Sequence, residues 1–118
     1  MTDTIQHFFD AWGQTDAARR RDLIAGAMAD PFLYADPRTG QDITTLDALS
    51  DYVGQFTASA PGWTAAVVQS DGHGDHRRAV VAFRDTGEAR QHGTYVAHLT
   101  EGRIDRLVGF VGAGGLSA

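Results

Sequence analysis

The chain contains no cysteine and no lysine. Without cysteine there is no disulfide, no thiolate nucleophile and no cysteine-bound metal. Without lysine every basic residue is arginine, and together with many Ala, Gly and Asp residues this reads as the codon bias of a GC-rich bacterial genome. Basic charge is also short overall. A net charge of -5 leaves no surface able to track phosphates, so no nucleic acid is expected as a partner. No apolar run approaches the length of a bilayer, and the segment around Asp3 lacks the basic and apolar regions of an export leader, so a cytoplasmic protein with no membrane anchor is expected. Repeats and low-complexity segments are absent too. Gly112-Ala113-Gly114-Gly115 is no phosphate loop, because no helix follows it. A length of 118 residues is that of a single domain, 1-118, large enough to bury a real core and ending in a small, polar, loose tail at 112-118.

What the chain does have is organised around Phe32-Leu33-Tyr34-Ala35-Asp36-Pro37-Arg38-Thr39-Gly40. Phe32, Tyr34 and Asp36 fall on one face of a short strand at period two, with Leu33 and Ala35 on the other. Pro37 lacks a ladder donor and Thr39-Gly40 supplies turn chemistry, so Asp36 ends an aromatic-bearing face. Two readings are open for its carboxylate. It caps the Pro37 to Gly40 turn at a solvated strand end, or it sits in a partly dry concavity suited to a general base.

Before this strand, Asp3-Thr4-Ile5-Gln6 resembles a capping box, and Ile5, Phe8, Phe9 and Trp12 form an aromatic stripe at helical spacing. Asp16 caps a second helix with Leu23, Ile24, Ala27 and Met28 on its apolar side and Arg19 to Arg21 mainly solvated. Ala29-Asp30-Pro31 then breaks it. After Gly40, Thr44 with Asp47 predicts the cap of a third helix carrying Leu46, Leu49, Val53 and Phe56, with Tyr52 beside them. From Trp63 the period changes to alternation. Four strands are expected at 63-70, 78-85, 89-99 and 104-110, separated by short turns and therefore antiparallel, with Gly93 marking a bulge or bend. The class is α+β: three amphipathic helices packed on a curved antiparallel sheet, forming a cone with an internal pocket.

The Ile5-Gln6-His7-Phe8-Phe9-Asp10-Ala11-Trp12 helix, the Tyr34-Ala35-Asp36-Pro37 strand end, the Thr39-Gly40 turn, helix three and the closing Gly102-Arg103-Ile104-Asp105-Arg106-Leu107-Val108-Gly109-Phe110 resemble the SnoaL-like branch of the NTF2-like (cystatin-like) superfamily, over about residues 3 to 111. Ketosteroid isomerases and small polyketide cyclases belong to the same superfamily. In the isomerases the general base is the Asp of an Asp-Pro pair at this strand end, which Asp36-Pro37 matches. The positions of their two oxyanion donors hold Phe8, which has no donor, and Tyr95, which has one. The cyclases employ His and Asp on their sheet, which makes His92 the second polar candidate, the alternative being an exposed strand histidine or one at a subunit contact.

The resemblance thus implies a compact hydrophobic carbonyl compound as ligand, a cofactor-independent isomerisation or cyclisation, Asp36 as base, and Tyr95 or His92 as electrophilic partner. Phe8, Trp12, Phe32, Tyr34, Tyr52, Trp63, Ala97, Leu99 and Leu107 serve either as pocket wall or as plain core, and Gly109 either leaves room for ligand or marks a bend. No cofactor is expected. No metal is either, since His73, Asp75 and His76 read as a solvated hairpin. The alternative is a non-catalytic ligand-binding or dimerisation module. The resemblance implies a homodimer through the outer sheet face, for which Val80, Ala82, Val96, Val108 and Phe110 are candidates.

Overall fold

A computed structural model describes residues 4-85 and 88-112. The Asp3 cap, the Thr86-Gly87 turn and the tail beyond Gly112 lie outside the described residues. Helix α1 (Thr4–Asp10) continues into a 3-10 turn (Ala11–Gly13), and the expected stripe of Ile5, Phe8, Phe9 and Trp12 is buried throughout. In α2 (Ala17–Ala27) the Asp16 carboxylate accepts from the backbone N–H groups of Ala18 and Arg19 at 3.0 and 3.1 Å, satisfying two of the donors that a helix start leaves open. Arg19 and Arg21 are exposed. Arg20 instead lies across α3 (Leu46–Ser59), its guanidinium occupying the space a Cβ on Gly54 would need, and its Nη1 donates to Gln14 O at 3.1 Å.

Two helix boundaries differ from the sequence reading. Met28 does not extend the stripe of α2; it opens β1 (Met28–Ala35), because pairing with Ile104 of the last strand gives its backbone a ladder. The Ala29-Asp30-Pro31 break consequently falls inside β1, where the pairing register shifts between Met28 and Leu33. The cap of α3 is Thr45, whose hydroxyl accepts from Ala48 N–H at 3.2 Å, and not Thr44.

The remaining strands are β2 (Thr64–His73), β3 (His76–Arg84), β4 (Ala89–Thr100) and β5 (Arg103–Val111), in the sheet order β1-β5-β4-β3-β2. The four C-terminal strands form the antiparallel meander that their short turns dictate. However, β1 runs parallel to β5, so the curved sheet is mixed and not wholly antiparallel. Turn length fixes direction only between consecutive strands, and α3 with the whole meander separates β1 from β5. The β2-β3 hairpin is tighter than expected, with His73 facing His76 across Gly74-Asp75.

No bulge occurs at Gly93, since pairing of β3 with β4 is continuous from His76↔His98 to Phe83↔Gln91. That glycine serves packing instead. A Cβ there would lie 2.9 Å from the Tyr95 ring, and one on Gly109, directly opposite Tyr95, would lie 2.5 Å from it. The two glycines form a trough in which the tyrosine lies flat against the sheet, while Phe9 meets its ring at 4.7 Å.

The outer sheet face exposes Val68, Val96 and Phe110. Val80 and Ala82, expected there as exposed, are covered: they are short side chains on an inner strand, opposite Thr94 and His92. Gly112 is tied to β4 by its N–H to His92 O (2.9 Å) and by Thr94 Oγ1 to its carbonyl (2.8 Å), so the tail is not loose at its first residue. At the free edge of β2, the Gln6 amide stands in for a missing strand, donating to Ala65 O at 3.3 Å and accepting from Val67 N–H at 2.7 Å. Among the described residues no helix is long and apolar enough to cross a membrane.

Candidate functional site

The strand end at Asp36 is held by backbone bonds before any side chain matters. Tyr34 and Ile43 exchange N–H···O bonds of 2.8 Å in both directions, closing the loop between them back onto the edge of β1. Within that loop Thr39 N–H donates to Asp36 O at 3.2 Å, and Gly40 adopts a φ of 73°, which favours glycine. The Asp36 carboxylate then receives Arg38 N–H on Oδ1 at 2.8 Å, an Asx turn.

The same carboxylate accepts from Tyr34 Oη on Oδ2 at 2.6 Å, and from Tyr52 Oη, which lies 2.8 and 2.6 Å from its two oxygens. Asp36 thus caps its turn and is also bonded to two tyrosine hydroxyls. Three hydrogens serve about four acceptor positions of an ionised carboxylate, leaving one position open.

The chain has three tyrosines, and all three gather here. Burial raises Tyr34 well above the ordinary tyrosine range, with the nearby Tyr95 and Asp36 adding to it. Burial also raises Tyr52, reinforced by its hydrogen bond to Asp36 and by that charge. Tyr95 is raised by burial and then by Asp36, while its contact with the Tyr34 hydroxyl and the Arg38 charge act in the opposite direction. All three hydroxyls consequently stay protonated donors through neutral pH.

Beside the cluster lies a cavity of about 50 Å³. Trp12, Tyr52, Phe56, Phe83 and Tyr95 wall it with rings, and Asp36 and Arg38 bring opposite charges to it. Gln91, His92, Phe110 and Val111 complete its rim. Arg38 Nη2 donates to Gln91 Oε1 at 3.2 Å, and no carboxylate among the described residues forms an ion pair with Arg38. The Trp12 indole N–H is buried and has no hydrogen-bond partner among the described residues.

Of the residues singled out from sequence, Asp36, Trp12, Tyr52, Tyr95 and His92 line this cavity. His92 does so at the rim although its strand parity points outward, with Thr94 and Val96. Tyr34 and Phe8 stand one layer behind, their rings 5.7 Å apart. Trp63 is half-buried against Phe56 at 6.3 Å, away from the cavity lining. Ala97 and Leu107 belong to the core, Leu99 packs against it, and Phe32 reaches a separate groove beside His98 and Asp105. The space over Gly109, expected to be open to ligand, holds the Tyr95 ring.

Sequence reasoning did not select Arg38, Gln91, Phe83 or Phe56 for the site. Phe56 was visible as helix stripe and Arg38 as turn, but nothing local marks Gln91 or Phe83, which a cross-strand pairing brings together. Among the described residues no group of three His, Cys, Asp or Glu side chains is arranged to hold a metal.

No family model matches the chain, and no curated protein matches it by sequence. Solved structures do. A crystal structure from Catenulispora acidiphila with a ketosteroid isomerase-like fold, in complex with trimethylamine, is 13% identical and superposes with a TM-score of 0.75 over 96% of this chain and 88% of that one. An inferred polyketide cyclase from Sinorhizobium meliloti is 23% identical, with a TM-score of 0.66 over 92% and 94% of the two chains. These two show the fold. An inferred isomerase of the SnoaL-like family from Agrobacterium tumefaciens is 30% identical, covers 93% of this chain and 95% of its own, and gives a TM-score of 0.81. At that identity, over nearly the full length of both proteins, the agreement reaches beyond architecture, and the chain belongs to the SnoaL-like family.

Proposed function

We propose that this protein binds a compact hydrophobic carbonyl compound and acts on it as a cofactor-independent isomerase or cyclase, with Asp36 as general base. One observation carries the reading: a carboxylate with an open acceptor position lines a small ring-walled cavity together with Trp12, whose buried indole N–H has no partner among the described residues. A carbonyl ligand satisfies both groups. Its oxygen accepts from Trp12 N–H, and its α-carbon presents a proton to Asp36. As the C–H bond breaks, the proton passes to an Asp36 oxygen and the electron pair moves onto the carbonyl oxygen as an enolate. Return of the proton to a different carbon isomerises the compound, whereas attack of the enolate carbon on a second carbonyl closes a ring.

Tyr95 and His92 are the further donors in reach of such a ligand. The names of the Agrobacterium and Sinorhizobium proteins, an inferred isomerase and an inferred cyclase, support chemistry of this class. The trimethylamine complex of the Catenulispora protein supports a small ligand. The cavity volume points the same way, since drug-sized ligands occupy roughly 300–1,000 Å³. We further propose that a second copy of the chain covers the outer sheet face, where Phe110 is both exposed and part of the cavity rim.

The test is hydrogen-deuterium exchange at the α-carbons of small ketones in heavy water, followed by NMR. Wild-type protein accelerates exchange, and Asp36→Asn, checked for folding by near-ultraviolet circular dichroism, loses about 10²–10⁴-fold of the acceleration. Equal rates from a folded Asp36→Asn protein refute Asp36 as the base.

A further inference from the structure

The mouth of the cavity holds a positive charge that the enolisation chemistry does not use. Arg38 lines the cavity and is exposed at its rim, and one arm of its guanidinium rests on the Gln91 side-chain oxygen. Its remaining donors have no carboxylate partner among the described residues. The charge nevertheless reaches inward, for it acts on the Tyr52 and Tyr95 hydroxyls that flank Asp36. A guanidinium held by a neutral amide and open on its other edge is a receptor for a planar anion, and carboxylate fits its paired donors.

Size narrows the choice. A water needs roughly 10–15 Å³ of such cavity space, so the site takes about four waters, or on the order of 120 Å³ of liquid. That is the bulk of a short oxo acid. The two polar groups sit at different depths, the Arg38 side chain exposed and the Trp12 indole N–H buried without a partner among the described residues.

Building on the carbonyl reading above, we infer that the ligand is a short 3-oxo acid, its carboxylate on Arg38 at the rim and its keto oxygen on the Trp12 indole N–H. The carbon between the two groups then lies where Asp36 can take its proton. In such an acid the keto carbonyl activates that carbon, and pairing with Arg38 lessens the opposition of the carboxylate charge to its deprotonation. The cation at the rim offsets the second negative charge brought in beside Asp36.

Titration of the ¹⁵N-labelled protein with acetoacetate and, separately, with its methyl ester tests this. The chain has two indoles, so Trp63, which lies off the cavity, serves as the internal control. Acetoacetate binds at least about tenfold more tightly than the ester, in line with one charge-assisted contact. Arg38→Gln removes that preference, Arg38→Lys retains part of it, and the Trp12 resonance shifts on binding while that of Trp63 does not. Arg38 is exposed, so both variants keep the fold.

Equal or tighter binding of the ester overturns the 3-oxo acid assignment. If its addition still moves Trp12, the carbonyl reading survives that failure. Absence of a Trp12 shift with both compounds overturns the two together.

Discussion

The three buried or half-buried tyrosines make the protein's response to alkali a direct test of the Asp36 cluster. Each is raised above the usual tyrosine value of 10.0, with burial as the leading cause. In the unfolded chain they titrate near pH 10. A group whose folded value is raised contributes stability that is fully present below the unfolded value, and that is lost as pH climbs toward the folded one. Above pH 10 the unfolded chain sheds tyrosine protons that the folded chain keeps, so unfolding becomes easier with every further increment.

The slope is about 1.4 kcal/mol per pH unit for each tyrosine held protonated. Tyr34 and Tyr95 are buried and together give about 3 kcal/mol per unit, with a smaller addition from half-buried Tyr52. Against a typical total of about 5–15 kcal/mol, a domain at the lower end unfolds about two units above pH 10. Urea midpoints measured from pH 8 upward give the slope, and tyrosinate absorbance gives the titration. Absorbance stays flat past pH 10 and then rises in a single step together with the loss of circular dichroism, since no tyrosine lies outside the cluster to titrate early. Smooth tyrosinate formation centred near pH 10 in a folded protein would refute burial of these hydroxyls around Asp36.

Two further substitutions probe the packing behind the site and the face outside it. Gly109→Ala costs about 1–3 kcal/mol of overpacking, because its Cβ meets the Tyr95 ring at 2.5 Å, whereas an unobstructed Gly→Ala in a strand gains about 0.5–1 kcal/mol. The sign of the change in a urea titration decides, and in a Tyr95→Leu background the penalty shrinks if the ring is its cause. Phe110→Asp, on the exposed outer face, converts a dimer to folded monomer in sedimentation equilibrium, and a wild-type protein that is already monomeric at high concentration refutes the proposed face.

The fold was legible because it rests on local signals. The stripe of Ile5, Phe8, Phe9 and Trp12, the Asp16 cap and the short turns of the meander each need only a few neighbouring residues to be read. What was not legible depends on distant partners. The parallel pairing of β1 with β5 is fixed by residues more than half the chain apart, and the register that sets Gly109 against Tyr95 by a turn that either bulges or does not. Gly93 shows the ambiguity well: a glycine inside a strand pattern signals a bend or a close approach, and here it is the approach of a tyrosine ring.

The arrangement around Asp36 also reverses the division of labour that the isomerase resemblance implies. There, one aspartate is the base while a tyrosine and a protonated aspartate donate to the ligand oxygen. In this chain Tyr34 and Tyr52 spend their hydrogens on Asp36 itself, and Tyr34 in turn contacts Tyr95. On the proposed reading a ligand oxygen finds its donor elsewhere, and the unpartnered Trp12 N–H is the candidate. Phe8, at the position that lacks a hydroxyl, is no loss under this scheme: its ring backs Tyr34 at 5.7 Å and meets Trp12 at 6.1 Å, holding in place both the residue that serves the carboxylate and the one left free to serve a ligand. On the proposed reading the polar duties of the cavity are divided by element, with strand β1 and helix α3 setting the base and the turn after α1 offering the donor.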